Sequence, residues 1–324
     1  MKIAVAGATG EVGRMMTKTL QEHCVEPDDI TFFASERSRG KEVTFYNYPH
    51  KVETLTQEAM ERGFDYILFS AGSGVSKEFA PVAARSGSVV IDNSSAFRMD
   101  PNIPLVVPEI NGSLLKDYRG IIANPNCSTI QMVLSLYKVH DAFGIKKIVV
   151  STYQAVSGAG HKGIAGLERE EQGKFEPSAF SRQIHRNLIP QIGNFLDDGF
   201  SEEEMKMVNE TRKILGDQDI SIWPTTVRVP VEYSHSEAIY AETARPFTST
   251  QLTEAVRSSE NVTLTDDFST PVDAAGTDET FVSRLRSFDS NAFLMWNVAD
   301  NIRVGAATNA VRILKKHMSV NQVK

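Results

Sequence analysis

The sequence predicts an α/β protein in two parts: a doubly wound parallel-sheet domain over residues 1–125, then an α+β domain over 126–301. Three observations predict it. Short apolar runs alternate with helical periodicities as far as Ala123. A glycine-rich turn follows the first of these runs at once. Beyond residue 220, β-rich segments return without helices between them.

Lys2–Ala6 is a run of buried-strand type and leads into Gly7-Ala8-Thr9-Gly10-Glu11-Val12-Gly13. Val12, Met15, Met16, Thr19 and Leu20 then fall on one helix face, and Pro27-Asp28-Asp29 ends the pattern. Ile30–Ala34 and Tyr66–Ser70 are further strands, the latter followed by a helix near Ser76–Arg85. Val89–Ile91 and Ile121–Ala123 complete a series of βαβ units, whose crossovers are right-handed. Lys146–Ala155 is a strand and Ile164–Glu171 a helix. Ser201-Glu202-Glu203-Glu204 is a capping box that starts a helix to about Leu215. Ser221–Val231, Ser236–Thr243, Thr280–Phe288 and Ala292–Val298 predict an antiparallel or mixed sheet packed on helices. Residues 302–318 close the chain as an amphipathic helix expected to pack back on the first domain.

Composition excludes several classes. A chain of 324 residues buries about 75% of its unfolded surface, so its core needs no disulfide or metal. Cys24 and Cys127 make no disulfide framework, no clustered Cys/His pattern offers a metal site, and no metal is expected. A net charge of −7, with Lys and Arg scattered singly, argues against nucleic acid. No apolar run approaches the ~18–20 residues of a membrane span, and no signal peptide precedes Lys2, so a cytoplasmic protein without membrane partners is expected.

Gly7, Gly10 and Gly13, set between a strand and a helix, are a spacing variant of the dinucleotide fingerprint of a Rossmann-like domain. Glycine lets the backbone turn tightly and approach a pyrophosphate, which then sits on the helix N-terminus. The second strand ends in Ser35-Glu36-Arg37-Ser38-Arg39. Arg37 between serines suits a 2′-phosphate and predicts NADP, whereas Glu36 could oppose it.

Asn124-Pro125-Asn126-Cys127-Ser128-Thr129 lies between a buried strand and an apolar helical run, which puts Cys127 at a helix N-terminus. There the unpaired N–H groups and the positive dipole end stabilise a thiolate, and could hold an oxyanion on an attacked carbonyl. Cys24, late in the first helix, reads as a small buried residue. A nucleophilic cysteine with a nicotinamide cofactor implies acyl-thioester aldehyde dehydrogenase or reductase chemistry.

These motifs, with Tyr153-Gln154-Ala155-Val156-Ser157-Gly158-Ala159-Gly160, Glu203-Glu204-Met205-Lys206, Val227-Arg228-Val229-Pro230-Val231, Ser234-His235-Ser236-Glu237, Asp300-Asn301 and Gly305-Ala306-Ala307, run in order along nearly the whole chain. In that order the chain resembles the aspartate-β-semialdehyde dehydrogenase family. The resemblance implies NADPH-dependent, reversible conversion of L-4-aspartyl phosphate to L-aspartate 4-semialdehyde and phosphate. That reaction serves the biosynthesis of lysine and diaminopimelate, threonine, methionine and isoleucine.

By matching motif, Cys127 looks like the nucleophile and His235 the acid/base. Gln154 and Arg228 would contact substrate, Glu203 its amino group, and Lys206 with Arg98 its phosphate. Gly7, Thr9, Gly10, Glu11, Val12, Arg37, Ser38, Ser157, Gly158 and Asn309 look like cofactor contacts. The chemistry suits these roles. Histidine titrates near neutrality, Arg228 on a strand offers a bidentate fork to a carboxylate, and Glu203 with Lys206 shares one helix face. The family's second domain mediates dimerisation, so a homodimer or homotetramer is expected.

Two features depart from many relatives. Glu11 and Glu36 place carboxylates beside the expected phosphates, and the stretch 173–194 is short and loop-like, which bears on assembly. Two alternatives stand beside the main reading. One is an N-acetyl-γ-glutamyl-phosphate reductase, disfavoured because Glu203 suits a free ammonium. The other is a non-catalytic nucleotide-binding relative, disfavoured because Cys127, Gln154, Arg228 and His235 are all present.

Overall fold

A computed structural model describes residues 1–175 and 179–323. The chain forms two units, Met1–Pro125 with Ala306–Lys324, and Asn126–Gly305.

In the first unit, β1 (Lys2–Ala6) leads through the glycine turn into α1 (Glu11–Glu22) and β2 (Asp29–Ala34). A short antiparallel hairpin follows, β3 (Glu42–Phe45) with β4 (Tyr48–Lys51), then β5 (Glu53–Thr54) and α2 (Gln57–Met60). These four short elements show no period in the sequence, and Cys24, expected to be buried late in the first helix, is instead exposed beyond its end, where the chain turns at positive φ. Next come β6 (Tyr66–Phe69), α3 (Ser73–Arg85), β7 (Val89–Asp92), α4 (Pro108–Asn111) and β8 (Ile121–Ala123). The sheet runs β5-β2-β1-β6-β7-β8, with every pair parallel.

Period-two alternation sends side chains to both faces, and both faces are buried. Ile3, Val5, Phe32, Leu68 and Ile91 pack with Met16 and Leu20 of α1 and with Val311 and Leu314 near the C-terminus. Ala4, Ala6, Phe33, Ile67 and Phe69 pack on the other face with Ala80 and Ala83 of α3.

In the second unit, α5 (Cys127–Phe143), β9 (Ile145–Gln154), α6 (His161–Glu171), α7 (Glu202–Leu215), β10 (Ser221–Arg228) and β11 (His235–Thr243) precede α8 (Ser249–Arg257) and β12 (Val262–Leu264). Then come α9 (Pro271–Ala274), β13 (Thr280–Ser287) and β14 (Ala292–Ala299), so two helices, α8 and α9, interrupt the strands expected to follow one another without helices. Its sheet is mixed, in the order β10-β9-β11-β14-β13-β12. The β10–β9 and β12–β13 pairs are parallel and the rest antiparallel. Ile148, Val150, Ile222, Ile239, Phe293 and Met295 are buried on one face. The other face carries Val149 and Trp223, both largely exposed.

α7 starts at the expected capping box: Ser201 Oγ accepts the Glu204 N–H, and Glu204 accepts the Ser201 N–H. The closing helix differs from its expected bounds. Arg303–Ala307 form a π-helical stretch, and α10 begins at Thr308 and runs to Val320. Val311, Ile313 and Leu314 of α10 lie in the first unit's core. His317 joins them, bonding the Tyr66 hydroxyl through Nδ1 at 2.8 Å and the Tyr118 carbonyl through Nε2 at 2.9 Å.

Among the described residues, no helix is long and apolar enough to cross a membrane, and no group of three His, Cys, Asp or Glu side chains is placed to hold a metal ion. Leu314 is fully buried. Leu314→Ala is therefore expected to lower unfolding free energy by about 2–5 kcal/mol, read as a lower urea midpoint.

Candidate active site

The glycine turn between β1 and α1 is tightly packed. Gly7 has φ +82°, and a Cβ there would lie 2.4 Å from the Ser70 carbonyl oxygen. A Cβ on Gly13 would lie 2.2 Å from the Gly7 oxygen, so this turn admits only glycine at both positions. Gly10 is the N-cap of α1 and supplies no side-chain cap, so the α1 start suits an anionic group. Thr9 Oγ1 donates to Ser38 Oγ at 3.3 Å, tying this turn to the end of β2.

Glu36 has its own partners. Its carboxylate accepts from Thr54 Oγ1 of β5 at 2.5 Å and from Arg39 Nη1 at 3.4 Å. The Thr54 bond, with help from Arg39, holds the Glu36 carboxyl below its usual range. Arg37 beside it is exposed and Ser38 buried. Glu11 and Val12 open α1. Arg98 is also in this unit, buried, with Nε donating to the Asn124 carbonyl at 2.8 Å and Nη2 to the Asn93 carbonyl at 2.9 Å. Asn309 donates to the Val106 carbonyl and to Asn124 Oδ1 at 2.6 Å.

The second unit gathers Cys127, Gln154, Glu203, Lys206, Arg228 and His235, together with Ser157 and Gly158. Cys127 is the first residue of α5. Its N-cap, Asn126, accepts the Ser128 and Thr129 N–H groups on Oδ1 and donates from Nδ2 to Glu203 Oε1 at 2.8 Å. One asparagine thus fixes both the helix start and the carboxylate. Glu203 also accepts from Gln154 Nε2 at 3.4 Å and from Lys206 Nζ at 3.1 Å. Glu203 and Lys206 are therefore no solvated surface pair: Glu203 is 5% exposed. Burial alone would raise the Glu203 carboxyl, but Lys206, the Asn126 amide and Arg228 together hold it below the ordinary value.

Arg228 ends β10 with its side chain opposed to the half-exposed Val227, and is itself buried. Burial lowers it, while the charges of Glu203 and Cys127 work to keep it a cation. Its Nη1 donates to the Ala155 carbonyl at 2.7 Å, and the guanidinium lies 5.9 Å from the Phe180 ring. Arg228 opens onto a cavity of about 330 Å³ bordered by Phe180, Ile189 and Gln191. Described residues of the loop-like stretch 173–194 therefore line the cavity at Arg228; 176–178 lie outside the described residues.

His235 is fully buried at the start of β11. Its Nδ1 accepts the Ala155 N–H at 3.0 Å, so the neutral ring carries its proton on Nε2. Burial first, and Arg228 second, push its pKa well below the usual histidine value. His235 is a neutral hydrogen-bond donor at pH 7. Gly158 lies against this pair: a Cβ there would be 2.7 Å from Arg228 Nη1 and 3.2 Å from His235 Cε1. Ser157 is buried against Asn301, which donates to Ser157 Oγ at 3.0 Å.

Gly305 was quoted in a motif but given no role. It lies in the π-helical stretch, and a Cβ on it would come within 2.6 Å of the Cys127 Cβ. Asn126 and Asn301 were likewise quoted without roles. Their signal was position alone, one residue before the cysteine and in Asp300-Asn301.

Residues 2–118 match a family model described as semialdehyde dehydrogenase, NAD binding domain, and residues 136–304 match semialdehyde dehydrogenase, dimerisation domain. An aspartate-semialdehyde dehydrogenase of Aquifex aeolicus is 48% identical over 96% of this chain and 96% of its own length. One from Bacillus subtilis is 43% identical over 100% and 99%. The crystal structure of aspartate semialdehyde dehydrogenase II from Vibrio cholerae complexed with ASA superposes with a TM-score of 0.95, at 44% identity and 98% coverage of both chains.

A methyl group at Gly158 would displace the Arg228 guanidinium while leaving the backbone path open. Gly158→Ala is expected to raise KM about tenfold or more, ~1.4 kcal/mol of binding, with an unchanged melting temperature. Steady-state kinetics beside a thermal melt checks this.

Proposed function

Because the chain belongs to the aspartate-semialdehyde dehydrogenase family, we propose that it reduces L-4-aspartyl phosphate to L-aspartate 4-semialdehyde and phosphate, reversibly and with NADPH, through a thioester on Cys127. The observation that carries this reading is the buried cluster of Arg228, Glu203 and His235 around the cysteine at the α5 N-terminus.

In this reading Arg228 grips the substrate carboxylate with its fork, and Gln154 borders the same group. Glu203, held ionised, takes the free ammonium, which favours the aspartyl substrate over an N-acylated one. Lys206 and Arg98 answer the phosphate charge. The Cys127 thiolate attacks the acyl carbon; its C–S bond forms as the C–O bond to phosphate breaks, and the departing phosphate takes up a proton. NADPH, when held by the glycine turn, would supply the hydride that takes the thioester to the aldehyde level. The C–S bond then breaks, the aldehyde leaves and the thiolate is restored. No net proton is needed at the carbonyl oxygen. A neutral His235 can therefore serve by donating Nε2–H to that oxygen as charge builds there, in place of the acid/base role expected from the motif.

The glycine turn from Gly7 through Thr9, Gly10, Glu11 and Val12 would hold the dinucleotide, with Ser157, Gly158 and Asn309 as further contacts. Arg37 and Ser38 would take the 2′-phosphate. Thr54 and Arg39 engage Glu36, which removes its opposition and favours NADP. The open sheet face bearing Val149 and Trp223 suits a second copy, as the dimerisation-domain match suggests, and a homodimer is our reading. A reaction on small, charged metabolites fits a cytoplasmic biosynthetic enzyme.

The test is reduction of NADP by L-aspartate 4-semialdehyde with and without phosphate, followed by nicotinamide absorbance. Activity should require phosphate, and Cys127→Ala should abolish it while nucleotide binding persists; undiminished turnover in that variant sinks the assignment. Thr54→Val should free Glu36 and lower the NADP/NAD ratio of kcat/KM by no more than a few-fold, because the exposed Glu36 carboxylate is solvent-screened.

A further inference from the structure

One buried titratable group takes no part in the mechanism above. Glu237 lies two residues beyond His235 on β11 and is fully buried. It stands in register with Thr152 of β9 and Asn297 of β14, while α5 packs across the same strands. Its carboxyl faces the side-chain amides of Gln131 and Asn297. None of the groups facing it carries a charge. Among titratable groups on the packed elements, His235 is two residues away on the same strand and Cys127 is one turn before Gln131 on α5.

Gln131 is the link. Its Nε2 donates to the His235 carbonyl at 3.2 Å and to Asn297 Oδ1 at 2.9 Å. Asn297 Nδ2 in turn donates to the Gln131 carbonyl and to Ser135 Oγ at 3.1 Å. The amide thereby pins the α5 turn behind Cys127 to the strand residue His235. Among the described residues, Gln131 Oε1 and both Glu237 oxygens are buried without a partner at ordinary hydrogen-bond geometry, although the Asn297 and Gln131 amides lie near enough to work against the upward push of burial on the carboxyl. A buried amide oxygen without a donor is costly, and a carboxylic acid beside it supplies the missing proton.

We propose that Glu237 is a positioning residue for this reaction: as a neutral acid it donates to Gln131 Oε1, orienting the amide that holds His235 and α5 in place. The inference rests on the reading of His235 as the group that meets the substrate oxygen. Burial supports it by keeping the carboxyl protonated up to about 8. The group's contribution to stability is complete in acid and is lost as pH rises through that value. Above it, ionisation removes the donor and sets a buried charge behind the catalytic strand.

The experiment compares wild type, Glu237→Gln and Glu237→Leu in kcat, KM and melting temperature from pH 6 to 9.5. Glu237→Leu should lose about tenfold or more in kcat at nearly constant KM, and Glu237→Gln, which keeps a donor without a titrating proton, should restore most of it. Glu237→Gln should also lack the wild-type decline in melting temperature from pH 6 up to about 8 and the wild-type decline in kcat near pH 8. If both declines persist in Glu237→Gln, the proposal is overturned. If only the melting decline disappears, Glu237 is structural and the positioning role is overturned. Should Glu237→Leu fail to fold, the Glu237→Gln profile alone decides. His235→Ala run alongside tests the underlying reading: full turnover there refutes the role of His235, whatever Glu237 does.

Discussion

A guanidinium with 5% of its surface exposed is the constraint on which the catalytic unit depends. An isolated charge in that position would cost several kcal/mol, so the surroundings must answer it. The Ala155 carbonyl accepts from Arg228, and Glu203 and Cys127 supply opposite charge. Each answer constrains something else. Glu203 must stay ionised, which requires the Asn126 amide and Lys206. Asn126 in turn caps the helix that presents Cys127. Charge compensation among buried groups and the placement of Cys127 at the α5 start are thus one network.

The same residue, Ala155, sets the state of His235 from its other end. Its carbonyl takes the Arg228 proton donor while its N–H points at His235 Nδ1. Protonating Nδ1 would set two donors against each other beside a cation. Backbone geometry, burial and the Arg228 charge therefore agree on a neutral imidazole with Nε2–H available. A donor of this kind stabilises charge as it develops without having to be reprotonated in each turnover.

Close backbone approach is the second requirement. Gly158 and Gly305 are needed because an added carbon would meet Arg228 or Cys127, and Gly7 and Gly13 because it would meet carbonyl oxygens. The π-helical stretch at Arg303–Ala307 carries Gly305 to the cysteine, a register that a regular helix from residue 302 would not give. Here the expected helix gave way to a local irregularity at a functional site, as such stretches often mark.

By itself the sequence determined the parallel, doubly wound first unit, the mixed sheet of the second, the glycine turn and the cysteine at a helix start. Those features depend on local periodicity, glycine spacing and capping, which neighbouring residues specify. Its short elements β3, β4, β5 and α2 were not legible, being too brief to show a period. Tertiary structure alone decided the rest. Glu36 has its carboxylate drawn to Thr54 on another strand, Arg98 spends its donors on the Asn93 and Asn124 carbonyls, and Glu237 is a core acid facing Gln131. Each of these states is set by a partner distant in the chain and by burial. Charge, protonation and hydrogen-bond partner depend on what lies across a packed interface, and residue order does not encode that locally.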